Sequence, residues 1–283
     1  MLLLSLGAAA PESVAVQAAE GETLRYRVNY EGLLSAAVPV EIAQVSLTLH
    51  PAVQSVDGEQ LRRASLALTT EPFPRMEALY PLRLNYDSWF DPELRYSAVV
   101  DMRRQSSKSR HELLWFNRKE GVVRSYRKRK GKEGKSAATR LPEFLLKISH
   151  LQQPSGFRER RVRTLDSGDV LDRLAMLYAL RKHPLVPGEV VEMAVSNGKD
   201  LLGYKVAVEA REQLLLDGQM VATLRLRLTP SYAAGADRGY AVRVWLSDDE
   251  LRLPLRFRSS EFGGAIELNL ESPVDRSNVV TSQ

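Results

Sequence analysis

Apolar and polar residues alternate one by one through most of this chain. In AVRVWLSDDELRLPLRFRSSEFGGAIELNL, from Ala241 to Leu270, Val242, Val244 and Leu246 alternate with Arg243 and Trp245. Leu251, Leu253, Leu255 and Phe257 alternate with Arg252, Pro254, Arg256 and Arg258, and Ile266, Leu268 and Leu270 with Glu267 and Asn269. A period of two sends successive side chains to opposite faces, so this stretch predicts three antiparallel strands with one buried and one wet face. Ser247-Asp248-Asp249-Glu250 and Gly263-Gly264 supply the turn chemistry.

The same period recurs upstream. Gly21 to Tyr30 and Val38 to Leu49 predict an opening hairpin, and a parity break at Ala43-Gln44 predicts a bulge. Asp57-Gly58 marks the next turn, and Leu61 to Thr69 the next strand. Glu71-Pro72-Phe73-Pro74 interrupts the sheet before a short helical turn over Arg75–Tyr80. Strands follow at Pro81–Phe90, Leu94–Arg103, His111–Asn117 and Val122–Tyr126. Arg140–Gly168 is poorly patterned and predicts turns with a short helix.

The period then changes. Over Asp169–Lys182, Leu171, Leu174, Ala175, Tyr178 and Ala179 share one helical face, and Met176, Leu177 and Leu180 widen it. Asp169 is the predicted N-cap, Asp172 suits the positive end of the helix dipole, and Arg181, Lys182 and His183 suit the negative end before Pro184. A helix apolar over so much of its girth is expected to be buried against a sheet. Val190–Val195, Leu202–Ala210 and Gln219–Thr229 return to strand, with turns at Gly198 and Asp217-Gly218. Roughly twelve to fourteen strands and one strong mid-chain helix predict a mainly β fold, a curled antiparallel sheet or half-barrel with the helix packed on or inside it.

Charge is uneven. Arg103–Arg140 holds 14 Lys or Arg against 3 Glu, so this stretch carries about +11 and the rest of the chain about −6. Within it, Arg127–Lys135 has no apolar residue and predicts a solvated loop. There is no cysteine, which excludes disulfides, thiolate metal sites and cysteine nucleophiles. Residues 1–19 begin with a short apolar run and pass through small residues, resembling a secretory signal peptide without the usual basic start, or else a tail. Residues 20–271 then form one β-rich domain, and 272–283 a polar tail. No apolar run reaches the roughly 18–20 residues of a membrane span.

Few residues suggest chemistry. Asp248 and Asp249 adjoin, but at a hairpin tip aspartate also serves the turn itself. Asp87, Asp91 and Glu93 beside Trp89 have the makings of a carboxylate pair with an aromatic platform, as in a glycan hydrolase or lyase. His50, His111, His150 and His183 have no ligand spacing, so a zinc or Ser-His-Asp site requires the fold to gather them. No motif calls for a cofactor or metal.

GETLRYRVNYEG, YPLRLNYDSWFDPEL, DVLDRLAMLYALRKHPLVPGE and VWLSDDELRLPLRF…GGAIELNL occur in this order. Together they resemble the bacterial exported family DUF3108, over roughly Glu20 to Glu271. The resemblance implies an envelope or periplasmic protein and carries over no catalytic residue. Its expected curled sheet is similar in kind to half-barrel carriers of lipids or lipoproteins, an analogy of fold alone. The expected function is therefore non-enzymatic binding of an apolar or anionic envelope component: a lipid, a lipopolysaccharide-like molecule or an acidic glycan. Leu246, Leu253 and Phe257 would face an acyl chain, and Arg127, Arg129 and Lys130 would meet headgroups at a peripheral membrane contact. Trp115, Phe116 and Tyr126 among the basic residues also suit single-stranded nucleic acid, which export disfavours. A protein-interaction module in envelope assembly is the remaining alternative.

Overall fold

The computed structural model describes residues 21–32, 35, 38–128, 140–149, 156–165, 169–232, 240–261 and 264–271. The leader-like segment, the polar tail, Arg129, Lys130 and His150 lie outside them. The strands are β1 (Thr23–Gly32), β2 (Val40–Val56), β3 (Glu59–Thr69), β4 (Arg83–Phe90), β5 (Ser97–Gln105), β6 (Arg110–Asn117), β7 (Val122–Lys128), β8 (Phe157–Thr164), β9 (Val190–Ser196), β10 (Leu201–Leu216), β11 (Gln219–Tyr232), β12 (Val242–Ser247), β13 (Pro254–Glu261) and β14 (Gly264–Leu270). Among the described residues three helices interrupt them: α1 (Pro74–Leu79), α2 (Glu143–Ser149) and α3 (Arg173–Lys182). Among the described residues no helix is long and apolar enough to cross a membrane.

All fourteen strands belong to one antiparallel sheet that does not close, in the order β8-β7-β6-β5-β4-β3-β2-β1-β14-β13-β12-β11-β10-β9. Every neighbour is consecutive in sequence except the central pair, where β1 meets β14 with Tyr26 opposite Leu270 and Tyr30 opposite Ile266. The edge strands β8 and β9 are consecutive in sequence, and the segment between them carries α3.

Two hairpins follow directly from Asp-Gly pairs. Asp57 and Gly58 have φ of 50° and 86°, and Asp217 and Gly218 have 46° and 79°. Left-handed backbone at both loop positions makes the tight turn whose twist matches that of the strands. The parity break in β2 is a bulge: Val28 faces Ala43 while Asn29 faces Glu41, so Ile42 is the extra residue.

The sheet curls around α3. Leu24, Tyr26 and Val28 of β1, Val45, Leu47 and Leu49 of β2, Val206 and Val208 of β10, and Leu224 and Leu226 of β11 pack in one core with Leu174, Tyr178 and Leu180. On the opposite face of the N-terminal half, α2 lays Leu145 and Ile148 against Leu61, Trp89, Val99 and Leu113. Here α2 and β8 occupy the poorly patterned region, whose strand FRERRVRT sequence reading missed because arginine occupies both of its faces.

The helix begins at Arg173, with Asp172 rather than Asp169 as its N-cap. Val170 and Leu171 are drawn out into extended chain instead: Ser97 N donates to Val170 O at 2.9 Å, Leu171 N to Ala194 O at 3.0 Å, and Ser196 N to Leu171 O at 2.8 Å. The Asp172 carboxylate is fully buried and accepts from Ser88 Oγ (2.5 Å), Ser97 Oγ (2.6 Å), Tyr86 Oη (3.2 Å) and the backbone of Leu174 (2.8 Å) and Ala175 (3.3 Å). Burial, then the adjacent Asp172 charge, push the Tyr86 phenol well above its ordinary pKa, so it stays a donor. At the other end, buried Arg181 forks onto Glu22 at 2.6 and 2.8 Å and donates to Leu251 O. Burial opposes its charge, yet the bonds to Glu22 hold its pKa above the ordinary value.

Candidate anion-binding site

The inward-facing candidates sit in the helix-filled core. Leu246 is 0% exposed and Leu253 is buried, while Phe257 packs edge-on against Tyr26 at the border of the same cluster. Their neighbours are thus the side chains of α3 and of adjacent strands.

The fold gathers two of the four histidines with aspartates. Arg63 Nη2 lies 3.2 Å from His50 Nδ1, His50 Nε2 lies 2.8 Å from Ser65 Oγ, and Ser65 Oγ donates to Asp87 Oδ1 at 2.5 Å. Arginine can only donate, so Nδ1 accepts and Nε2 carries the proton that Ser65 accepts. Burial and Arg63 lower the His50 pKa, consistent with a neutral ring. Serine thus stands between histidine and aspartate and sends its proton to the carboxylate. A nucleophilic serine needs the reverse, with histidine taking its proton. On the next strand, buried Asp101 faces Asp87 and is held by His111 (2.8 Å) and Arg103 (2.7 Å). His183 lies apart, against Pro184 O. Among the described residues no three such ligands converge to hold a metal ion.

Trp89 is 3% exposed, beneath Arg63, and does not offer an open aromatic platform. Asp91 is clasped by Arg95 at 2.8 Å in the turn after β4, so it and Asp87 serve different networks. Asp249 accepts from Ser247 Oγ and from the backbone of Leu251 and Arg252, shaping the turn in which Arg252 adopts φ 45°. Asp248 pairs with Arg211 at 3.0 Å.

Much of the basic stretch is paired. Arg110 (2.6 Å) and Arg127 (2.7 Å) share Glu112, and Arg124 binds Glu120 and Glu159. Burial works against the Glu112 charge, but hydrogen bonds from both arginines hold its carboxyl below the ordinary range.

The unusual electrostatics lie elsewhere, on the sheet face opposite α3. Arg227 of β11, Arg243 of β12 and Arg258 of β13 stand directly opposite one another in register, with Glu267 of β14 next in line. In the adjacent row, Arg225, Trp245, Arg256 and Asn269 are opposite one another. Directly opposed like charges destabilise a sheet, by about 0.2–1 kcal/mol per pair. Four carboxylates moderate the repulsion. Glu209, the extra residue of a bulge in β10, accepts from Arg225 (2.9 Å) and forms ion pairs with Arg227 (3.1 Å) and Arg243 (3.4 Å). Glu212 binds Arg225 and Trp245 Nε1, each at 2.6 Å. Glu267 binds Arg258 at 3.1 Å and Arg256 at 3.5 Å, while Glu31 reaches Arg258 only at 4.0 Å. Arg256 stacks over the indole of Trp245, 5.9 Å from the ring.

These side chains line a cleft of about 360 Å³ formed by Glu209, Arg225, Arg243, Trp245, Arg256, Arg258 and Glu267. Two smaller depressions adjoin it, one sharing Arg256 and the other Arg258 and Glu267. Guanidinium forks match planar or tetrahedral oxyanions, so the surface is chemically suited to anions. The signal was present in LRLRLTP, VRVWL and LRFRS, where outward positions are repeatedly arginine. What no strand shows by itself is the register that aligns them.

No curated protein matches this sequence. Across 88% of this chain and 95% of the other, the structure is similar to a crystal structure of a beta-barrel-like protein of the domain of unknown function DUF1849 from Brucella abortus, with TM-score 0.49 and 5% identity. A family model matches residues 148–271. That span contains the last two of the four motifs, while GETLRYRVNYEG and YPLRLNYDSWFDPEL lie outside it. Through this segment, which carries α3 and every arginine of the two rows, the chain is similar to the family described as Protein of unknown function (DUF3108).

Proposed function

We propose that this chain is an exported cell-envelope protein that binds an anionic envelope component without catalysis, and that the arginine rows of β11–β13 are its binding surface. The observation that carries this reading is the direct opposition of Arg227, Arg243 and Arg258, an arrangement that costs stability and that a bound anion would relieve further than Glu209 and Glu267 do. The packing of α3 among the inward side chains favours an anionic over an apolar ligand. The leader-like start of the sequence supports export.

Binding of the full chain to polygalacturonate and to phosphatidylglycerol vesicles tests the reading. Affinity should fall at least about tenfold between about 50 and about 300 mM salt, as screening of exposed charges requires. Absence of binding to these and to phosphatidic acid vesicles, glucose 6-phosphate and inorganic phosphate at the lower salt would overturn it. Fractionation of the producing cell should place the protein in the envelope, and a cytoplasmic pool alone would remove that part of the proposal.

A further inference from the structure

We infer that the arginine rows take a phosphomonoester, seated between Arg243 and Arg258 and flanked by Arg225 and Arg256. This rests on the anion-binding reading above and narrows it to one chemical class. Arg243 and Arg258 are directly opposite across β12 and β13, and their side chains are 49% and 42% exposed. Arg243 leans to one side onto Glu209, and Arg258 to the other onto Glu267. Among the described residues no carboxylate is shared between them, and the cleft opens there.

Opposed residues in an antiparallel pair have Cβ atoms about 4.5–5.5 Å apart, so two guanidinium groups rising from such positions can grip one tetrahedral group from both sides. A phosphomonoester carries about two negative charges near neutral pH and three terminal oxygens, enough to satisfy both forks; a phosphodiester or carboxylate carries one charge and two oxygens. Arg225 and Arg256 sit one row away, about 7 Å along the strands, on either side of Trp245. They are held by Glu212 and by Asn269, at 2.6 Å each, so their forks are set in place before a ligand arrives. Five arginines outnumber the four carboxylates Glu209, Glu212, Glu267 and Glu31, so the surface keeps a positive charge for an anion. A phosphorylated sugar and a phosphorylated lipid headgroup share this chemistry, and the probes below separate them.

The experiment is titration of the full chain with inorganic phosphate, glucose 6-phosphate and vesicles containing phosphatidic acid. Phosphatidylglycerol vesicles and polygalacturonate, whose anionic groups each carry a single charge, serve as comparators, with affinities compared per anionic group. The expected result is binding of at least one phosphomonoester at least tenfold tighter than either comparator. Binding of the soluble probes alone assigns a soluble ligand; binding only of phosphatidic acid vesicles assigns a lipid headgroup. The double variant Arg243→Gln/Arg258→Gln should lose at least tenfold in affinity while its unfolding midpoint without ligand stays level or rises, because opposed charges are removed. Arg258→Lys keeps the charge but loses the fork and should lose several-fold. Arg160→Gln, on the distant edge strand β8, should change nothing. Binding of the comparators without preference for a monoester overturns this inference and leaves the anion-binding reading standing. Binding of no probe overturns both, and full affinity in the double variant places the site elsewhere.

Discussion

At the scale of single residues, hydrogen-bond direction separates chemistry from architecture. The run Arg63–His50–Ser65–Asp87 contains the three side chains of a hydrolytic triad, yet its protons all flow toward Asp87. Its consequence is a pH dependence of stability. The folded pKa of His50 lies below its ordinary 6.5, through burial first and Arg63 second. As pH falls through about 6.5 the unfolded chain takes up a proton that the folded chain refuses, so this contribution is present above that pH and is lost on the way down to the folded pKa. The unfolding midpoint should therefore drop between about pH 7 and about pH 5, and His50→Gln should flatten that slope. An unchanged slope would mean that His50 is not held neutral.

At the scale of elements, the seam between the sheet's two edges is bridged by side-chain contacts, without pairing of β8 to β9. Arg163 Nε of β8 donates to Lys199 O at 2.8 Å in the turn after β9, and Leu114 of β6 presses on Gly198 in that turn. Val170 joins Val100, Leu114, Phe116 and Val123 in a small cluster that also takes in Ala194 of the edge strand β9 and Leu201 of β10. Gly198 and Gly218 have nearly the same backbone, φ 76° and 79°, but a methyl group at 218 meets open space whereas one at 198 collides with Leu114. Gly218→Ala should therefore cost about 1 kcal/mol from backbone strain alone. Gly198→Ala should cost about 2–4 kcal/mol in denaturant titration, strain and overpacking together. Equal costs would show that the seam yields without resistance. Most elements were legible in sequence because period-two alternation and the Asp-Gly turns are local signals. The start of α3 was misplaced by three residues because Asp169 and Asp172 are equally good caps. Only the extended pairing of Val170 and Leu171 with distant strands decides between them.

At the scale of the whole molecule, α3 ties the two halves of the sheet together. Asp172 binds side chains of β4 and β5 in the N-terminal half. Arg181 binds Glu22, just before β1, and Leu251 in the turn between β12 and β13. Arg181→Met leaves Glu22 buried without its partner and should destabilise by about 3–5 kcal/mol. Adding Glu22→Leu should recover much of that loss, since a buried ion pair replaced as a unit by apolar groups is often neutral. No recovery would mean that the pair specifies the fold beyond its own charge balance. Neither the Glu22–Arg181 pair nor the arginine rows could be read from sequence, for one physical reason. Both depend on register between strands, which long-range closure sets and no local window contains. Arg243 and Arg258 were visible as the wet positions of two strands; that they face each other is a property of the assembled sheet.

The central pairing of β1 with β14 gives this molecule a schedule. Arg27 and Glu271, bonded at 3.0 Å, are 244 residues apart. At about 5–20 residues per second, synthesis leaves the open edge of β1 waiting roughly 10–50 s for its partner, while its other edge can already be zipped to β2. Exposed edges recruit strands from other chains, and long-range pairings form slowly. Whatever escorts the nascent chain must guard the middle of the final sheet rather than its rims, until the last strand arrives.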